Sequence, residues 1–137
     1  MFSEAQDIIN LKNIIYKDSG RIDFSLTGHP VLIIHVTETH FYYLTISSSS
    51  NKTLHRNTHQ HFILKKNKDN RLKAPMNYIN LKNIYKQEIN NYVPYGFVND
   101  VLFERIINAL KYYQENITED EFYSEIKDVF NEGSWLI

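Results

Sequence analysis

The segment from Gly28 to Lys52, GHPVLIIHVTETHFYYLTISSSSNK, constrains the fold more than any other. Val31 to Val36, VLIIHV, is a run of strand length, rich in β-branched residues and apolar but for His35. After the polar turn Thr37-Glu38-Thr39, His40 to Ser47 reads as its partner strand. In an antiparallel hairpin the start of one strand lies beside the end of the other, so His29 is expected near Thr45, Ser47 and Lys52. Strand alternation gives Phe41, Tyr43, Thr45 and Ser47 one face and Tyr42, Leu44 and Ile46 the other. Thr45 thus points away from its aliphatic neighbours and is expected to face a cleft or solvent.

Ser3-x-x-Gln6 reads as a capping box opening an N-terminal helix, with Ile8, Leu11, Ile14 and Ile15 on one face and a stop at Asp18-Ser19-Gly20. Arg21 to Thr27 alternates as a short strand, and residues 48–58 read as a polar loop. His59 to Lys66 alternates as a further strand, and Asn67 to Pro75 is a basic, turn-rich connection. Tyr78 to Ile89 fits strand or helix; a strand, a tight turn near Leu81–Asn83 and a second short strand are favoured. Ile79 to Glu88 echoes Ile9 to Asp18, but the match is too short for a structural repeat. Pro94-Tyr95-Gly96 reads as a turn, and Asn99 or Asp100 caps a helix over Val101–Gln114. Leu102, Ile106, Ala109, Leu110 and Tyr113 form its inner face. Thr118-x-x-Glu121 opens another helix, ended by Gly133, and the apolar tail Ser134–Ile137 is expected to pack on the domain or a partner. The expected fold is α+β: one domain over residues 1–137, with a small bent antiparallel sheet or barrel, an N-terminal helix and C-terminal helices.

With 137 residues, 42% of them hydrophobic, the chain can bury one sizeable core. The absence of cysteine excludes disulfides and thiolate chemistry. The N-terminus lacks the pattern of a signal peptide and no apolar run would span a bilayer, so a soluble, cytoplasmic protein is expected. A net charge of -1 gives no global attraction to nucleic acid. Lys65, Lys66, Lys68, Arg71 and Lys73 form the dense basic cluster, which reads as a solvated loop or a local nucleic-acid contact.

His29 suits metal-free RNA cleavage, in which the 2′-oxygen attacks the adjacent phosphorus and an acid, a base and charge support are required. Pro30 after it biases its backbone to an extended form. Thr45, Ser47 and Ser48 offer hydroxyl donors to phosphate oxygens, and Lys52 offers charge. The same residues also read as a surface histidine and an ordinary serine-rich loop. His59-x-His61, near His55, has a spacing found in zinc sites, yet no cysteine or acidic residue nearby completes a shell. No metal or cofactor is therefore expected. His59, His61, Lys65 and Lys66 remain candidates for lining an RNA groove, or plain surface residues. P-loop, GxGxxG, GxSxG and HExxH motifs are absent.

Taken in order, HPVLII, YLTISS, YINLKNIYKQEI and Gly96-Phe97-Val98 followed by a helix through Leu110 resemble the MazF/PemK (CcdB-like) endoribonuclease toxins, a superfamily that includes the ToxN-type toxins. The resemblance covers residues 28–113. It implies an SH3-like barrel and metal-independent cleavage of single-stranded RNA to 2′,3′-cyclic phosphate and 5′-hydroxyl ends. By position, His29 stands for the family's catalytic arginine, Thr45 for its threonine and Lys52 for a lysine after the Thr-Ser pair, at longer spacing. Histidine for arginine is a departure, as are the added terminal helices. The implied partners are an RNA substrate and a cognate antitoxin, either a small structured RNA or a protein, in a homo-oligomer or a toxin–antitoxin assembly. The other class of function is a non-catalytic RNA- or protein-binding module on the same barrel.

Overall fold

A computed structural model describes residues 4–14, 20, 28–48, 61–90 and 92–116. Among the described residues there are seven strands and one helix: β1 Asp7–Leu11, β2 His29–Val36, β3 His40–Ser48, β4 His61–Lys65, β5 Met76–Asn80, β6 Tyr85–Glu88, β7 Gly96–Phe97 and α1 Asp100–Asn116. The strands form one curled antiparallel sheet, a half-barrel ordered β4-β5-β3-β2-β1-β7, with β6 also on β3.

The central hairpin is the expected one, with Leu32 opposite Leu44 and Ile33 opposite Tyr43. Val31 to Ile34 are wholly buried because the sheet has apolar contacts on both faces. Leu32, Leu44 and Ile46 meet Ile106, Ile107 and Leu110 of α1 on one face, while Val31, Ile33, Phe41 and Tyr43 join Ile9 and Leu11 on the other. A continuous apolar run is what burial on both faces demands. A bulge between Ile33 and His35 inserts one residue into β2 and sharpens the bend.

Residues 7–11 correct the expected N-terminal helix. They form β1, paired with β2 through Ile8–Leu32 and Leu11–His29. Ile8 and Ile9 are buried in opposite clusters, so the apparent helical stripe is alternation on a sheet with two dry faces. Gln6 has φ +79°, outside helical space, and its amide donates to Val98 O (3.1 Å) and Asp100 Oδ1 (2.8 Å). Ser3 and Ile15, the strand expected over Arg21–Thr27, the helix after Thr118 and the tail Ser134–Ile137 lie outside the described residues.

Two further expectations change in detail. The two strands expected over Tyr78–Ile89 are present as β5 and β6, but the link at 81–84 does not reverse the chain: both run antiparallel to β3 on the same edge. From Ile46↔Ile79 to Tyr43↔Tyr85 the chain advances three residues on β3 and six on its partner, so three extra residues are taken up at 81–84. Gly96 begins β7 beside β1 instead of closing a turn, and Tyr95 N–H donates to Ile8 O (3.1 Å). α1 is capped by Asn99, whose Oδ1 accepts the Leu102 N–H (2.9 Å), and Asp100 adds a favourable charge in the first turn.

The seam opposite the hairpin is bridged by the connection after β4. Phe97 N–H donates to Asp69 O (3.0 Å), and the Asn70 backbone lies against Gly96. A Cβ on Gly96 would fall 2.6 Å from the Asn70 carbonyl carbon. Backbone cannot rotate aside as a side chain does. Gly96→Ala is expected to cost about 2 kcal/mol or more of stability, read as a lowered urea midpoint at unchanged slope.

Candidate functional site

The β2–β3 ladder ends at Val31↔Thr45. Beyond it, His29 and Pro30 pair with Leu11 and Asn10 of β1, whereas Ile46 to Ser48 pair with β5. The strands separate, and a cavity of about 470 Å³ opens beside the gap. Gly28, His29 and Pro30 stand on one side of it and Ile46, Ser48 and Asn77 on the other. Arg71, Leu72, Lys73 and Ala74 border it from the connection after β4, and Asn10 and Tyr95 complete the lining.

A hydrogen-bond knot holds the basic connection. Asn70, 1% exposed, donates from Nδ2 to Lys65 O (2.9 Å). Its Oδ1 accepts the N–H groups of Asn67 (3.2 Å) and Leu72 (3.1 Å), and Asn67 Oδ1 accepts those of Asp69 (2.9 Å) and Asn70 (2.8 Å). Leu72 is buried in the core, which presents its neighbours Arg71 and Lys73 at the cavity mouth, both exposed. Among the described residues neither cation is in an ion pair and no carboxylate lines the cavity. Arg71 has φ +54°, a conformation that costs an L-residue about 1–2 kcal/mol. Burial pushes the Tyr95 phenol above its usual value, so near neutral pH it stays uncharged, an aromatic surface with a hydroxyl.

The expected catalytic residues divide between two faces. Ser48 borders the cavity beside its cross-strand partner Asn77. His29 stands at the rim, but alternation along β2 groups it with Val31, and its Nε2 is shielded from solvent. Thr45 does not face a cleft or solvent. It is 3% exposed, opposite Val31, on the face of Phe41 and Tyr43. That face is dry enough for burial, helped by Tyr85 and Tyr92, to push the Tyr43 phenol far above its usual value. Thr45 was misread because alternation shows which face a residue takes, not what covers that face. Ser47 is half-buried on Thr45's side and does not line the cavity.

His61 lies against Tyr78 (ring centroids 6.3 Å apart), and exposed Lys65 alternates with it on β4, opposite to Phe62 and Leu64. Lys66 is exposed, and its N–H donates to Pro75 O (3.0 Å). None of these borders the cavity. His55, His59 and Lys52 lie outside the described residues. Of the basic cluster, Arg71 and Lys73 border the cavity, whereas Lys65 and Lys66 do not. Asn10, Asn77 and Tyr95 carried no sequence signal of a site.

Comparison with known protein families and with curated proteins finds no match to this sequence. Its chemistry therefore rests on the cleft itself. Arg71 combines backbone strain with the lack of an ion pair among the described residues, which leaves its guanidinium available to an anion at the cavity mouth. Arg71→Gly is expected to leave stability unchanged or raise it by up to about 1 kcal/mol, because glycine adopts the same φ freely. In the RNA-binding reading proposed below, the same variant binds single-stranded polynucleotide more weakly whatever its sequence, with the slope of log affinity against log salt reduced by about 1. Denaturation and salt-dependent anisotropy read the two effects separately.

Proposed function

We propose that this protein is a toxin endoribonuclease: an SH3-like barrel that holds single-stranded RNA in the cleft between β2 and β3 and cuts it without metal. The observation that carries this reading is the pair Arg71 and Lys73, exposed and outside any ion pair among the described residues, at the mouth of a cavity that His29 and Ser48 border. Metal-free cleavage needs such a combination. The 2′-oxygen gives up its proton and attacks phosphorus, and the 5′-oxygen leaves with a proton. Between these events the phosphoryl oxygens carry added negative charge, which cations and hydroxyl donors stabilise in a partly enclosed site. In this scheme Arg71 and Lys73 bear that charge, Ser48 donates a hydrogen bond and His29 moves a proton.

The products would be a 2′,3′-cyclic phosphate and a 5′-hydroxyl. The protein would act in the cytoplasm, where its substrate is, and a cognate antitoxin would restrain it by occupying the cleft. A small structured RNA could use the same cationic contacts, and an acidic protein segment could replace them.

A second reading has its own support. The shielded Nε2 of His29 and the burial of Thr45 favour a module that binds RNA without cutting it. Incubating the folded protein with mixed single-stranded RNA in EDTA separates the two. The toxin reading expects discrete cuts with cyclic-phosphate ends, slowed about 100-fold or more in His29→Gln while thermal unfolding shows that variant still folded. Retention of intact RNA by a folded wild-type protein would leave the binding module.

A further inference from the structure

Asn77 is 4% exposed, yet it borders the cavity. Its amide orientation is determined. Nδ2 donates to Ala74 O (3.0 Å) and to Leu64 O (3.3 Å), using both hydrogens, and a flipped amide would turn its oxygen toward those two carbonyl oxygens. What the side chain has left to offer is Oδ1, an acceptor, and no donor among the described residues reaches it. Oδ1 is not among the fully shielded polar atoms, so it stays within reach of a donor that enters the cavity.

The cavity also sorts its occupant by shape. About 470 Å³ suits one nucleoside-sized group and is too small for a duplex, so a base must be splayed out of a single strand to enter. Arg71 and Lys73 at the mouth favour the phosphate outside and the base within. Tyr95, half-buried and uncharged, supplies an aromatic wall for that base.

We propose that Asn77 makes this cleft a subsite for a nucleobase bearing an exocyclic amino group, selecting adenine, cytosine or guanine over uracil. This rests on the cleft being the RNA site. An amino group projects a donor that a lone acceptor can meet. Uracil instead holds its N3–H between two carbonyl oxygens, which would face the oxygens of Asn77, Leu64 and Ala74. Acceptor side chains read cytosine through its amino group on the same principle.

The test uses the wild-type protein and fluorescein-labelled 2′-deoxy oligonucleotides, which lack the attacking 2′-hydroxyl. Oligo(dC) is compared with oligo(dU), and oligo(dA) with the same strand carrying unsubstituted purine. The second pair differs in the amino group alone; the first also exchanges an N3 acceptor for an N3–H donor and a C4 amino group for a carbonyl. Tighter binding of the amino-bearing member by about fivefold or more in both pairs is expected. Asn77→Leu should bring the members of each pair level while leaving their salt dependence in place, with the wild-type comparison standing if that variant fails to fold. Equal binding of all four strands by the wild-type protein would overturn the subsite but keep the RNA cleft. Binding of none of them would overturn both.

Discussion

The structure depends on where the β2–β3 ladder stops. Up to Val31↔Thr45 the two strands pair with each other; beyond that point no ladder joins them among the described residues, while β1 on β2 and β5 on β3 occupy the opposite edges. Instead of being joined in a ladder, the facing edges past Val31 and Thr45 thus border a gap. It opens a cavity at the end of a sheet whose two faces are otherwise filled by apolar side chains. The connection after β4 then reaches across the seam to β7, and Asn70 holds it rigid through both ends of its amide. Leu72 enters the core, and the cations on either side of it are left at the opening.

This arrangement resolves an apparent conflict in the charge. A chain with net charge -1 has no long-range pull on a polyanion. What counts at contact is the local field, and among the described residues the cavity lining has two cations and no carboxylate. At physiological salt the Debye length is about 8 Å, so such a cleft acts over the span of a phosphate or two. Local charge of this kind favours a short segment of single strand over a long duplex.

Much of the scaffold was legible in the residues. The hairpin followed from two apolar runs around a polar turn, and α1 from a capping residue and an apolar face that the core does bury through Ile106 and Leu110. β1 was misread because Ile8, Leu11 and Ile14 mimic a helical stripe when both faces of a strand are dry. Thr45 was misread for the same reason, since burial on the second face is set by tertiary contacts that alternation does not report. The site was half legible: the basic cluster and Ser48 were in view, but the part played by Leu72 in aiming Arg71 and Lys73 depends on a buried asparagine. Asn77 was invisible because a single asparagine in a strand has no signature until its amide partners are known.

The most direct test of the cleft is a backbone amide NMR titration with a short 2′-deoxy oligonucleotide, which cannot be cut by 2′-oxygen attack. If the cleft is the binding site, the signals that move will be those of Arg71, Leu72, Lys73, Asn77 and Tyr95, while those of Lys65, Ile63 and Tyr43 stay in place. Shifts centred on the outer face of β4, with the cleft signals unmoved, would contradict it.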